Sequence, residues 1–391
     1  MKVVQFGLRF SPNLGDGVIA ECLAHALRSE APGTQVTLID ISGRDGFGAT
    51  PVKHRQRALA VLRRLPPALR RALVRWRLGR LLDALAPVWV KALQGADLAI
   101  VGGGQILADA DLNFPLKLAR VAEAAQAARV PVAIHAAGVQ PGWSPPGRAL
   151  FTRLLDTDLR QVGLRDTLSC AAWQREMGGG PAPALTRDPG LLAVDCYGPA
   201  PASRRIGLCV TDPAILRYHA DSRVAGGAVG FYRDLAATLA ARGHKITLFC
   251  NGAAEDRAAL DRVIADPGIA AMAATGTVSF AEPPERPADL ARLVGGFRGV
   301  VAHRLHACIL AWSYRVPVVG LGWDRKVESF FASVAAQDWF AAGGARPVEV
   351  ADRLQAALKT GVDPTAHARV LGETRAAVAG LLHSARRRVK R

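Results

Sequence analysis

The chain has 391 residues, half of them hydrophobic and 21% charged, a composition that excludes wholesale disorder and suits two ordinary domains. Fifty Lys and Arg against thirty-three Asp and Glu give a formal net charge of +17, which on its face calls for a polyanionic partner. Two short segments hold nearly all of it: between Lys53 and Lys91 eleven basic residues meet one acid, Asp83, and Arg386, Arg387, Arg388, Lys390 and Arg391 add five more, so the rest has the balance of an ordinary enzyme.

Short β-type runs alternate with Ala/Leu/Arg-rich helical stretches, the pattern of parallel sheets covered by helices on both faces. The first half offers strands at Lys2 to Leu8, Gln35 to Ile39, Leu98 to Val101, Val132 to Ala136 and Gln161 to Leu164. A Pro/Gly/Ala-rich stretch from Pro181 to Ser203 precedes a second series at Arg205 to Val210, Lys245 to Cys250, Gly299 to Ala302 and Pro317 to Leu321. The expected fold is α/β, with two Rossmann-like doubly wound domains facing a cleft. Residues 1–195 form the first, with a basic helical insertion at 53–91, and residues 204–345 the second; helices and a basic tail occupy 346–391 and return toward the domain junction.

Within the insertion, Leu59, Leu62, Leu65, Leu69 and Leu73, then Leu78, Leu81, Leu82 and Leu85, recur at three- and four-residue spacings interrupted by Pro66-Pro67. This predicts two amphipathic helices with Arg-rich polar faces. They are either an element attracted to anionic headgroups or a solvated face packed on its own domain. The six cysteines are scattered without a C-x-x-C and lie mostly in apolar runs, which points to a reducing, cytoplasmic setting. Met1 to Phe10 reads as a short strand rather than a signal peptide, and no apolar run is as long as a membrane span. Any membrane contact is therefore expected to be peripheral, at the inner face.

Polar residues gather where strands end. After the first strand, Asn13-Leu14-Gly15-Asp16-Gly17 opens a helix and places Asn13 and Asp16 at the carboxyl edge of the sheet, as ligand groups or as caps. Leu98 to Val101 runs into Gly102-Gly103-Gly104, where a ligand can approach the backbone and amides are free for an anion. No Gly-Lys-Ser/Thr follows, and the G-x-G-x-x-G spacing is missing, so neither a Walker loop nor nicotinamide binding is supported. Arg165-Asp166 closes another strand as an anion ligand or a structural pair, and Arg187-Asp188-Pro189 reads most simply as a turn.

The densest constellation is late. Val300 to Ala302 delivers His303, Arg304 and His306, and Val316 to Leu321 delivers Asp324, Arg325 and Lys326 beside them. Arg suits bidentate recognition of carboxylate or phosphate, Lys supplies a point charge, and His can donate a proton near neutrality. A metal is not expected, because carboxylates are sparse and the Arg side chains would repel the ion.

Taken in order, Asn13-x-Gly15-Asp16, Gly102-Gly103-Gly104, Arg165-Asp166-x-x-Ser169, Asp188-Pro189, His303-Arg304-Leu305-His306-Ala307 and Asp324-x-Lys326 resemble the polysaccharide pyruvyl transferase family over roughly residues 5 to 335. The resemblance implies a GT-B-like architecture and transfer of pyruvate from phosphoenolpyruvate onto two hydroxyls of a sugar, giving a cyclic ketal. It links Arg304, His306 and Arg165 to phosphoenolpyruvate. On this reading His306 is the general acid, Arg304 and Arg165 hold carboxylate and phosphate, Lys326 assists, and Asp16 or Asp324 orients or deprotonates a hydroxyl. Asn13, Gly103, Gly104 and His303 complete the substrate site. Phosphoenolpyruvate is a co-substrate and no cofactor is needed; the acceptor is a saccharide, lipid-linked in the preferred form, and no nucleic-acid partner is expected.

Two other readings compete. A GT-B-type glycosyltransferase would bind a nucleotide-sugar diphosphate with the same cations, and Glu328 is the nearby acid for a ribose. A non-catalytic basic scaffold on a membrane or nucleic acid would leave the strand-end motifs without a purpose.

Overall fold

The structure is a computed structural model that describes residues 1–48, 66–212, 229–323 and 325–386. Asp324, the basic residues between Lys53 and Arg64, and the tail beyond Arg386 lie outside the described residues.

The first half builds β1 (Lys2–Gly7), α1 (Leu14–Glu30), β2 (Gln35–Asp40), α2 (Pro67–Leu93), β3 (Leu98–Gly102), α3 (Asn113–Ala128), β4 (Val132–Ala137), α4 (Pro145–Phe151), β5 (Leu159–Leu164), α5 (Thr167–Met177), β6 (Ala184–Leu185) and α6 (Ala193–Tyr197). The second builds β7 (Ile206–Cys209), α7 (Val229–Ala241), β8 (Ile246–Phe249), α8 (Ala254–Ile264), α9 (Pro267–Ala274), β9 (Val278–Phe280), α10 (Pro287–Gly296), β10 (Gly299–Ala302), α11 (Leu305–Ser313), β11 (Val318–Leu321), α12 (Arg325–Ser333) and β12 (Phe340–Ala341). Helices α13 (Pro347–Thr360) and α14 (Pro364–Arg386) complete the chain.

All strand pairs are parallel. The sheets run β2-β1-β3-β4-β5-β6 and β12-β11-β10-β7-β8-β9. Their central strands are buried throughout, as strands covered on both faces must be, so they read as continuous apolar runs rather than alternating ones. Winding reverses between β1 and β3 and again between β7 and β10, and such reversals open crevices at the carboxyl ends of strands. The nine expected strands are present to within two residues at each end. Sequence pattern misses β6, β9 and β12, which are two- or three-residue strands near or at the outer edges with little apolar signal.

In the basic insertion, helix α2 begins at the expected break, Pro66-Pro67: Pro67 takes the first position, where its missing N–H costs nothing, and the helix runs 27 residues through Pro87. The stretch expected to form a helix before the break lies outside the described residues. Its inner stripe of Leu82, Trp89 and Leu93 is buried, with Trp89 edge-on to Phe6 at 5.7 Å. Among the described residues no helix is long and apolar enough to cross a membrane.

One apolar cluster crosses the junction between the halves. It joins Leu14, Val18 and Cys22 of α1, Leu191 and Leu192, Ala307 to Trp312 of α11, and Val370, Val378 and Leu381 of α14. Helix α14 is tied back to the first half by Arg375 on Asp195 at 2.6 Å, and by the Arg160 guanidinium donating to the carbonyls of Ser384 and Ala385.

Two glycines test how far packing is fixed. A Cβ on Gly102 would sit 2.0 Å from the His135 carbonyl oxygen of the neighbouring strand, whereas one on Gly79 of α2 meets nothing within 4 Å. Gly102→Ala is expected to lose about 1–3 kcal/mol, and Gly79→Ala to gain about 0.5–1 kcal/mol. Denaturant unfolding of the two variants checks both signs.

Candidate active site

The carboxyl ends of the two sheets face each other across the junction. Asn13, extended just before α1, does not cap that helix; its Oδ1 accepts from Asn251 Nδ2 at 2.7 Å, a bond between the residue after β1's loop and the residue two after β8. Gly15 lies directly on the imidazole of His306: a Cβ there would come within 2.2 Å of His306 Cγ and Nδ1. The starts of α1 and α11 therefore meet almost in contact. Helix N-termini carry partial positive charge and free amides, which favour an anion beside them.

His306 is 6% exposed, and its Nε2 lies 3.8 Å from Asp188 Oδ2. Neither atom has a hydrogen-bond partner. Asp188 Oδ1 is occupied, accepting from the Gly190 amide at 2.8 Å at the start of the turn Pro189–Leu192. Burial pushes the Asp188 carboxyl up to about 6, against the Gly190 bond and the charge of Arg165. Burial pushes Asp16 up to about 6 as well, against a bond from Ser11 and the Arg165 charge. The same burial, with the charges of Arg165, Arg304 and Lys326, brings His306 down to about 3. His306 is therefore a neutral imidazole at pH 7 in these surroundings.

Arg165 ends β5 with a buried side chain whose Nη2 donates to Gln105 Oε1 at 3.1 Å, while its Nε is 3.4 Å from Asp166 Oδ2. Gly138 makes room for it, since a Cβ there would lie 2.6–2.9 Å from the guanidinium. Asp166 has a second task, capping α5 through the Ser169 amide at 2.6 Å. Arg165 and Asp188 on one side and Leu305, Ile309 and Lys326 on the other line a narrow crevice.

Arg304 is held in a way the sequence did not disclose. Its Nε and Nη2 both reach Asp256 Oδ2, at 2.8 and 2.7 Å, and Asp256 is fully buried in α8 and also accepts from the Asp212 amide. His303 parts company with the cluster. Its ring is buried 3.3 Å from the Tyr232 hydroxyl, and burial together with Arg304 lowers its pKa to about 3. That placement turns the ring toward Tyr232, among buried residues.

The three glycines have packing reasons of their own. Gly103 and Gly104 take φ of 81° and 67°, Gly103 gives its amide to the His135 carbonyl, and a Cβ on Gly104 would be 3.1 Å from Asp16 Oδ1. The Gly103 amide is therefore not free for an anion. Glu328 is exposed on α12. Sequence reasoning misses Asn251 and Asp256: Asn251 stands two residues past β8, where a polar residue after an apolar run is the available signal, and Asp256 lies in the first turn of α8, where an acid reads as an ordinary partner of the helix dipole. Among the described residues no group of three or more His, Cys, Asp or Glu is placed to hold a metal ion.

A model of the family described as Polysaccharide pyruvyl transferase matches residues 13–325. No curated protein sequence matches the chain. Among solved structures, a Rickettsia bellii UDP-N-acetylglucosamine 2-epimerase is similar with a TM-score of 0.55 at 11% identity, over 98% of this chain and 96% of that one. A Methanocaldococcus jannaschii UDP-GlcNAc 2-epimerase, solved with UDP-GlcNAc and UDP, gives 0.52 at 10% identity, over 95% and 98%. At such identities the likeness shows the fold, a two-domain Rossmann-like α/β architecture of GT-B type.

The raised carboxyls carry a signed consequence. A folded-state pKa near 6, above the unfolded value, favours folding below about pH 4, and that advantage is lost as pH rises through 6. Asp188→Asn keeps an oxygen for the Gly190 amide and removes the buried charge. It is expected to be more stable than the parent by up to about 3 kcal/mol at pH 7.5, with the gap closing near pH 4. Urea unfolding across that range reads the difference, and a variant weaker than the parent at pH 7.5 contradicts it.

Proposed function

The chain belongs to the polysaccharide pyruvyl transferase family, and from that premise we propose that it transfers the pyruvyl group of phosphoenolpyruvate to two hydroxyls of a saccharide, lipid-linked and met at the inner face of a membrane. The observation that carries this reading is the pairing of Asp188 Oδ2 with His306 Nε2, both buried and unpartnered, between cations contributed by both domains.

Phosphoenolpyruvate brings a carboxylate and a phosphate. Arg165 and Lys326 take them from opposite walls of the crevice, and Arg304, oriented by Asp256, adds fixed positive charge. The arriving anion offsets the field that holds His306 at about 3, so an imidazolium forms opposite the Asp188 carboxylate. It donates its proton to the methylene carbon C3 while the first sugar hydroxyl adds to C2 and gives its own proton to Asp16. Cleavage of the C2–O bond to phosphate leaves an oxocarbenium carbon. The second hydroxyl closes the ketal there, and its proton leaves with the phosphate. One phosphoenolpyruvate and one diol become one ketal and one inorganic phosphate.

The test is to supply phosphoenolpyruvate and nucleotide-sugars in parallel with lipid-linked and soluble saccharides. Phosphate release that needs both phosphoenolpyruvate and an acceptor is expected, falling by about 100-fold or more in His306→Ala and with a raised KM for phosphoenolpyruvate in Arg165→Ala. Release of nucleotide instead would assign the crevice to glycosyl transfer, and near-normal turnover by His306→Ala would remove it as the acid.

A further inference from the structure

Helix α2 keeps apolar side chains in water that its core has no use for. Leu82, Trp89 and Leu93 fill the inner stripe, yet Leu69, Leu73 and Trp76 stand 54%, 40% and 62% exposed at spacings of four and three, one continuous outward face. Arg75, Arg77 and Arg80 are exposed around them, and the Arg80 guanidinium lies 5.8 Å from the Trp76 ring centroid. From Leu69 to Leu82 there are five Arg and no acid.

Topology fixes where this face lies. Helix α2 returns to the amino end of β3, which with β2 flanks β1 in the parallel sheet, and Gly43, three residues past the carboxyl end of β2, lies against its Leu81 and Leu85, so its first turns sit at the sheet edge that carries the site. Arg70 bonded to Asp111 at 2.8 Å anchors that end to the segment following the β3 glycines.

We propose that the first half of α2, Leu69 to Arg80, docks on an anionic lipid surface. Trp76, Leu73 and Leu69 enter the boundary between headgroups and acyl chains, while the Arg side chains keep their guanidinium groups among the phosphates. A second copy of the chain fits the face poorly, because it would bring +17 against +17. A nucleic acid would use the Arg residues and leave the Leu-Trp stripe in water. Docking at this edge turns the mouth of the crevice toward the surface, within reach of a saccharide carried on a lipid. Only that last consequence rests on the pyruvyl-transfer reading.

The experiment uses the full chain with vesicles of phosphatidylcholine, with and without phosphatidylglycerol. Co-sedimentation with the anionic vesicles alone is expected, weakening steeply with salt and about tenfold or more in Leu73→Ser/Trp76→Ser. The emission difference between the parent and Trp76→Phe is expected to shift to the blue on binding. Absence of binding, equal binding to neutral vesicles, or binding untouched by the double substitution overturns the proposal. So does a dimer that the double substitution dissociates, or a Trp76 already shielded from acrylamide without vesicles, which would give the face to a second copy or to the chain itself. Phosphate release with a soluble acceptor reports separately on the chemistry.

Discussion

The site exists because two helix starts approach more closely than side chains ordinarily allow. Gly15 of α1 rests on the imidazole of His306 in α11, where any Cβ would penetrate the ring, and the apolar cluster from α1 through Leu191 and Leu192 to α11 and α14 holds them there. Domains joined by small polar contacts are expected to move, but a large apolar seam resists it. Arg165, Asp188 and Asp16 from the first half lie near His306, Arg304 and Lys326 from the second across that seam. Stabilising a developing charge works best in such a preorganised, poorly hydrated place.

The charges of that place are not balanced by one another. Two carboxyls are pushed up to about 6 and an imidazole down to about 3 within one small region. Burial is the largest cause for all three, and each shift records a charge the surroundings do not fully accept. Where Arg304 has its own buried carboxylate in Asp256, the charge is satisfied and the guanidinium is held in one orientation. Where Asp188 Oδ2 and His306 Nε2 face each other unbonded, the protein leaves a proton's position open. That combination reduces stability and is what proton transfer requires.

Much of this was legible in the sequence, for reasons that also mark the limit. Central parallel strands such as Leu98–Gly102 are apolar on both faces and announce themselves, and the polar residues that end them fall at the carboxyl edge by topology alone. Which way a side chain turns there is not local information. His303 and His306 look equivalent three residues apart, yet the strand-to-helix turn sends one to Tyr232 and the other to Asp188. Arg304 finds Asp256 from 48 positions away, and Asn13 finds Asn251 across 238. Burial, which moves the pKa of His306 away from neutrality, depends on those same distant contacts.

The total charge shows the same separation between composition and place. The cations gathered around His306 are few, and Arg165 and Arg304 are each matched by an acid or amide oxygen, so they contribute little to the long-range field. The arginines of α2 do the reverse. They surround an apolar stripe on the outer face of a helix whose register is set on its inner face by Leu82, Trp89 and Leu93. That inner packing decides which residues point outward. Because the helix returns to the amino end of β3 and passes Gly43 just after β2, its most basic turns lie at the same edge of the sheet as the strand-end residues of the site.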